Sequence, residues 1–391
     1  MSVRRRTWTT PKGVEKSAWA VDYRDGQGQR RLKTFKTKKE ADSFAATAHV
    51  EVREGTHVAD GASCTVNKAG KLWIAARQRA GREQTTIDAY QNHLDRHIGP
   101  FIGDKKLTAL TVPEVRAFEE KLLDDGRSPS MVKKVLVSLG SLLADAQERG
   151  LVGRNVVRDL RVRRGSSDHR AAQRAKGRLR VGVDIPSPGE VKAILGALQG
   201  RWRPILVTAV FTGLRASELR GLPWAALDFE AKVLKVYQRA DRFGEIGPPK
   251  SAAGEREVPL TPMVINTLKE WKLQAPKSKL GLVFPALDGS VVSHTQIMRE
   301  GFGKAQIRAG VTTVEGDTIK PRYTGLHALR HFHASWLINR PQEGGLGLSP
   351  KQVQERLGHS SINLTLNTYS HLFPRGDNGE EMAAAEAALF S

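Results

Sequence analysis

Residues 161–180 read RVRRGSSDHRAAQRAKGRLR. Eight of these positions are Lys or Arg and one is acidic, with Gly and Ser between them and no apolar periodicity. A stretch of this kind offers no face to a hydrophobic core, so the chain must fold as separate bodies on either side of it. The length agrees, since 391 residues exceed one ordinary core and two or three domains are expected. The reading places an N-terminal domain at 1–60, a helical domain at 61–160, a basic linker at 161–180 and a larger mixed domain at 181–391.

Charge narrows the class of partner. Lys and Arg number 62 against 41 Asp and Glu, a formal balance of +21, and the pI is near 10.2. All four segments carry an excess of positive charge, the linker most densely. A single small anionic ligand would not need this distribution, whereas a polymer of phosphates would. Cys64 is the one cysteine, which excludes an internal disulfide framework and any multi-cysteine metal site. It suits a reducing cytosol. Residues 1–10 are basic and run into polar sequence, so no signal peptide is expected. The longest apolar stretch, Ile205 to Leu214, is half a membrane span. The expectation is a cytoplasmic protein, associated with DNA in a bacterial cell and without a membrane partner.

The N-terminal domain reads as a small α+β unit. Trp19, Val21 and Tyr23 alternate with Ala20 and Asp22, as a strand does. A turn at Asp25–Gly28 leads to a return strand over 29–35. Thr37 and Glu40 form a capping box for a helix to about Arg53. The basic residues Arg4, Arg5, Arg6, Arg30, Arg31 and Lys33 are candidates for DNA contact here, as are Arg161, Arg163, Arg164, Arg178 and Arg180 in the linker. Residues 61–160 read as a bundle of four or five helices, with stripes such as Ile87, Tyr90, Leu94, Ile98 and Val132, Val135, Leu139, Leu142. A capping box at Thr111–Glu114 opens one of these helices. In the last domain, capping boxes at Ser187–Glu190 and Ser349–Gln352 open helices, and Arg203 to Gly221 continues as one helical segment. Strands are expected at 233–239 and 256–260, with Lys250 at the tip between them. Apolar residues at 382, 385, 389 and 390 suggest a final helix, docked either on its own domain or on a neighbouring copy.

Four short segments of the last domain carry chemistry together. They are Thr212-Gly-Leu-Arg-Ala-Ser-Glu-Leu219, Leu326-His-Ala-Leu-Arg-His331, Leu357-Gly-His-Ser-Ser361 and Thr368-Tyr-Ser-His-Leu372. Arg215 and Arg330 carry permanent charge on planar forks that suit phosphate oxygens. His327 precedes Arg330 by three residues, on one helix face. His359 is expected at the start of a new helix. Tyr369 offers a phenol whose pKa, near 10 in water, nearby cations would lower toward the nucleophilic phenolate. His331 and His333 are too few ligands for a metal site.

The four segments, in this order and at these separations, resemble the tyrosine recombinases, specifically the phage-type integrases. The resemblance implies a mainly helical α+β protein of three parts: an arm-site-binding N-terminal domain, a core-binding helical domain and a catalytic domain. It implies that Arg215 and Arg330 clamp the scissile phosphate and that Tyr369 is the nucleophile. His327 stands at the general acid/base position, and His359 hydrogen-bonds a non-bridging oxygen. Lys250 protonates the departing 5′-oxygen, and Glu218 gives structural support. Relatives often carry Asp where this chain has Ala328. The implied reaction forms a 3′-phosphotyrosyl link and exchanges one phosphodiester for another, with no ATP, metal or other cofactor.

The partners implied are double-stranded DNA attachment sites of core and arm type, and a homotetramer assembled on them. A host DNA-bending protein and an excision directionality factor are further implied partners. Integration or excision of a phage or mobile element is the leading role. Chromosome-dimer resolution and a type IB topoisomerase activity are the alternatives, with a non-enzymatic DNA-binding regulator further off because no motif residue is lost.

Overall fold

The computed structural model of the chain describes residues 1–11, 13–160, 178–374 and 379–390. The fold is mainly helical with small antiparallel sheets. The chain divides into two compact units, Met1–Arg164 and Gly165–Ser391, each with its own hydrophobic core. Of the basic stretch, 161–177 lies outside the described residues, and with it Arg161, Arg163 and Arg164. Among the described residues no helix is long and apolar enough to cross a membrane.

The first unit begins with a three-stranded antiparallel sheet in the order β1 (Ser2–Thr9), β2 (Glu15–Arg24), β3 (Arg30–Phe35). Strand β1 has no counterpart in the expectation, because Arg4, Arg5 and Arg6 mask any apolar alternation. Its register supplies what its sequence lacks: Val3 pairs with Val21, and Arg5 with Trp19. Helix α1 (Lys38–Arg53) starts at the Thr37–Glu40 capping box and covers one sheet face through Ala41, Phe44 and Ala45.

The helical part contains α2 (Val66–Arg79), α3 (Gln84–His93), α4 (Val112–Asp124) and α5 (Pro129–Glu148). Helix α3 runs on through a π-helical segment, Leu94–Ile98, and a final turn, Gly99–Ile102. The stripe residues Ile87, Leu94, Ile98, Val132, Val135, Leu139 and Leu142 are all buried around Trp73 and Phe118. Each such apolar side chain contributes about 1.5–3 kcal/mol on burial. Gly70 lets α2 approach closely, since a Cβ there would stand 2.6 Å from a Leu94 methyl. At Thr111 only half of the capping box forms. Its hydroxyl accepts from the Glu114 N–H, but the Glu114 carboxylate turns to Lys105.

In the second unit α6 (Pro188–Gly196) starts at the Ser187–Glu190 capping box. The segment expected to be one helix from 203 to 221 is two: α7 (Trp202–Thr212) and α8 (Ala216–Arg220). The break lies at Gly213, with φ 60°, where the His333 ring would lie 2.4 Å from any Cβ. No side chain fits there, and the left-handed turn stops the helix.

A small sheet joins β4 (Leu227–Asp228), β5 (Val233–Val236) and β8 (Arg256–Pro259), with the hairpin β6 (Arg239–Ala240) and β7 (Ile246–Gly247) between β5 and β8 in sequence. Helix α9 (Pro262–Gln274) follows, then a helical run from His294 to Arg308 with a π-helical centre. Hairpin β9 (Thr312–Glu315) and β10 (Thr318–Pro321) leads through the buried Tyr323 to the helices of the C-terminal half. Numbering the run from His294 as α10, the last elements are α11 (His327–Ile338), α12 (Pro350–Leu357), α13 (Ile362–Tyr369) and α14 (Glu380–Phe390). In α14 the side chains of Met382, Leu389 and Phe390 are exposed, so the expected docking on the chain's own domain is not made by these residues.

Candidate active site

Helix α7 is apolar on almost every side and lies in the core, so its C-terminal end is rigidly placed. Two residues past the Gly213 turn, Arg215 caps α8. Its backbone N–H donates to Glu218 Oε2 at 2.9 Å, one guanidinium nitrogen to Glu218 Oε1 at 2.7 Å, and another to the Gly358 carbonyl at 2.8 Å. Glu218 is 3% exposed and is shared, because Arg256 of β8 donates to the same carboxylate at 2.9 Å. Burial pushes the Glu218 carboxyl up, but Arg256 and Arg215 outweigh it and hold it below its ordinary value. Arg256 also donates to the carbonyls of Gly254 and Arg356.

Arg330 sits in the first turn of α11 and is 2% exposed. It donates to the Gly213 carbonyl at 2.6 Å and to the Leu357 carbonyl. These are the C-terminal ends of α7 and α12, where a cation meets the negative end of each helix. Two of the five N–H groups of Arg330 are thus used on carbonyls inside the protein, and Arg215 is one-third open. Burial, then the Arg215 charge, pulls Arg330 below the usual arginine value, though a guanidinium stays charged at neutral pH.

Gly358 ends α12 in the left-handed region at φ 64°, and a Cβ there would meet the Ala253 carbonyl at 2.8 Å. His359 comes next in this turn, buried, and not at a helix start; α13 begins only after its cap, Ser361. His359 Nδ1 lies 2.9 Å from the Thr365 hydroxyl. Burial, then Arg330, Arg215 and Arg256, push its pKa down to about 3.

Tyr369 closes α13 and is 1% exposed, packed with Val353 and Leu357 of α12 and Leu337 of α11. Its ring stacks parallel to that of His359 at 6.3 Å. The expected lowering of its pKa is reversed. Burial pushes the phenol up to about 12, and the opposing effect of Arg330 is smaller. Its hydroxyl lies 2.8 Å from His331 Nδ1. The His331 ring, in turn, meets that of His327 edge to face at 4.6 Å, one helical turn earlier. His331 is held down to about 4, first by burial, then by His327 and Arg330. His327 opens to solvent and is lowered by desolvation, then by Arg330 and Arg215. His333 points the other way, with Nδ1–H donating to the Val210 carbonyl at 3.1 Å.

The fold thus gathers Arg215, His327, Arg330, His359 and Tyr369 at one place, where α8, α11, the turn after α12 and the end of α13 meet. Lys250 is exposed and is not at a hairpin tip. It lies after β7, just before the short turn Ala252–Gly254 whose Ala253 carbonyl backs onto Gly358. Sequence reasoning missed two members, His331 and Arg256. His331 stands one helical turn after His327, a signal that could have found it, but beside His333 it read as half of a poor metal site. Nothing in the sequence marked Arg256.

The candidate DNA-contact residues fall on two faces of the N-terminal sheet. Arg4 and Arg30 share the face away from α1 with Asp22, to which both are paired, and Arg6 lies on that face too. Arg5, Arg31 and Lys33 lie on the α1 side, where Arg31 pairs with Asp25 and Lys33 with Asp60, its ammonium also 4.5 Å from the Phe44 ring centre. Arg178 and Arg180 are exposed at the start of the second unit.

Residues 187–375 match the Phage integrase family. A tyrosine recombinase XerC-like protein of Caldanaerobacter subterraneus subsp. tengcongensis is 27% identical over 381 residues, covering 90% of this chain and 91% of that protein. The integrase of Mycobacterium phage D29 is 23% identical, covering 94% and 93%. Among solved structures, the Tn1549 transposon integrase in complex with a circular intermediate DNA superposes with a TM-score of 0.63 at 20% identity, over 84% of this chain and 100% of that one. A lambda integrase from a tetramer bound to a Holliday junction gives 0.55 at 18%, over 91% and 96%.

Proposed function

We propose that the chain is a tyrosine recombinase, a site-specific enzyme of DNA cleavage and rejoining, that Tyr369 is its nucleophile and that it integrates and excises a mobile element, a reading supported by the match to the Phage integrase family and by the XerC-like relative. The observation that carries the residue assignment is convergence: one phenol, two arginines and two imidazoles from four separate motifs lie around one buried point.

In this reading Arg215 and Arg330 bind the non-bridging oxygens of the scissile phosphate and stabilise the charge that builds in the pentacoordinate state. His359 is neutral; with Nδ1 taken by Thr365, its Nε2–H is the donor toward a phosphate oxygen. The Tyr369 oxygen attacks phosphorus, the P–O5′ bond breaks, and Lys250 protonates the departing oxygen. A 5′-hydroxyl from a partner strand then reverses these steps and frees the phenol. Arg4, Arg6 and Arg30, on the face of the sheet away from α1, are the N-terminal groups best placed to track an arm-type DNA site, because a sheet face fits the major groove. Arg178 and Arg180 would meet phosphate near the core site. A homotetramer on two duplexes, a host DNA-bending protein and an excision directionality factor complete the proposed partners.

The test is covalent capture. The protein is incubated in excess chelator with DNA flanking its own gene, then denatured in detergent. A protein–DNA adduct in the wild type and none with Tyr369→Phe is expected; an adduct from both removes Tyr369 as nucleophile. Chromosome-dimer resolution is the second reading, favoured by the XerC-like relative. It predicts resolution of plasmid dimers carrying a chromosomal site, where the first predicts joining of an element end to a target.

A further inference from the structure

Tyr369 is held as a protonated phenol, so its attack on phosphorus requires a base at its oxygen as the new bond forms. The general acid/base position of the motif is His327, yet the hydrogen bond of the phenol goes elsewhere. His331 Nδ1 lies 2.8 Å from Tyr369 Oη, while the His327 ring meets that imidazole edge to face, with ring centres 4.6 Å apart. The other polar neighbours are occupied. His359 Nδ1 faces Thr365, and Arg330 donates to the carbonyls of Gly213 and Leu357.

We infer that His331 is the catalytic base of this site: its Nδ1 accepts the phenolic hydrogen bond and takes the Tyr369 proton during attack. The inference rests on Tyr369 being the nucleophile. The step balances without a further reactant. The Oη–H bond breaks and Nδ1–H forms, giving an imidazolium; Oη–P forms and P–O5′ breaks, and the departing oxygen takes a proton from a separate acid. On rejoining, the same Nδ1–H returns its proton to the phenolate as it leaves.

The surroundings keep the base neutral until it acts. Burial, then His327 and Arg330 on α11, hold the imidazole unprotonated, and Asp184, before α6, opposes them and favours the charge when it forms. Tyr369, from α13, is a further titratable group against it. His331 is half-buried and one turn from the solvent-exposed His327.

Two measurements test this. Nitrogen-15 NMR of the imidazoles, in the full chain without DNA, reads the tautomer. The expected state has the proton of His331 on Nε2 and a bare Nδ1; a proton on Nδ1 overturns the inference, since the ring would then be donor to the phenol. The second measurement uses duplexes that the wild type captures from a random-sequence pool. His331→Asn keeps an oxygen near the Nδ1 position that can accept the hydrogen bond but cannot take the proton. Its adduct formation at neutral pH should fall by about 100-fold or more, with duplex binding and melting unchanged, and its rate should climb with pH where the wild type levels off. A rate within about threefold of wild type with an unchanged pH profile reduces His331 to a packing role. Tyr369→Phe run alongside separates the two ideas: an adduct from that variant defeats the nucleophile, whereas loss there with a normal His331→Asn defeats only the base.

Discussion

The N-terminal sheet and the catalytic cluster are both rich in arginine and use it in opposite ways. Side chains Arg4 and Arg30 are 61% and 70% exposed beside Asp22, while Arg256 is 6% exposed and Arg330 2%. On the sheet the guanidinium heads stay in water, where an ion pair contributes little and a phosphate can displace it readily. In the cluster the heads of Arg256 and Arg330 are shut from water, held by carbonyls and, for Arg256, by the buried Glu218 carboxylate, so their positions are set before DNA arrives. The sheet offers charge; the cluster offers geometry.

The strongest way to break this contrast is at Glu218. Glu218→Gln should destabilise the second unit by about 3–5 kcal/mol, because two arginines remain without their shared counter-charge. Denaturant unfolding measures it, and Asp22→Asn in the sheet should leave the midpoint where it was. An equal response from both would abolish the distinction.

Acid comes next. His333 is buried and its pKa is pushed down to about 3 from 6.5. The unfolded chain therefore takes up its proton first. The stability of the second unit should be full above about pH 6.5 and drain as pH falls toward 3, with ~2 kcal/mol lost at pH 5 from this residue alone. His331 and His359, pushed down to about 4 and 3, act in the same direction. Thermal melts from pH 7 to 4.5 check the slope, and a flat profile refutes it.

A smaller effect is expected at Thr365→Val, which strips His359 of its Nδ1 partner inside the protein. Loss of about 1 kcal/mol is expected, restored by Thr365→Ser. The mildest change to the fold should come from Arg4→Ala with Arg6→Ala. Melting should not move, but the dependence of log affinity on log salt for duplex DNA should flatten by about 0.9 for each phosphate no longer neutralised. An unchanged slope would remove these two from the DNA interface.

Much of the fold was legible in the order of residues alone. The helix starts at Thr37, Ser187 and Ser349 could be read because a capping box is a local event, written in four consecutive residues. The stripes of α3 and α5 could be read because burial tracks periodicity. Strand β1 could not, since its apolar partners lie on β2. The helix break at Gly213 was hidden because the reason for it is the His333 ring, 120 residues later. The motif residues of the site could be named, but not its electrostatics. Neighbouring cations suggested an acidic phenol, whereas burial between α11, α12 and α13 makes it a reluctant one. The hydrogen bond between Tyr369 and His331 joins two helices whose packing no spacing rule supplies.

Arg330 ties the carbonyl of Gly213 to that of Leu357, and Arg215 reaches Gly358. Seen in the order in which a ribosome makes the chain, the first anchor waits for the last. A nascent polypeptide can have folded most of its helices and still hold no assembled centre, because the Gly358 carbonyl follows Arg215 by 143 residues. The centre thus closes only after residues this far apart in sequence have all been made.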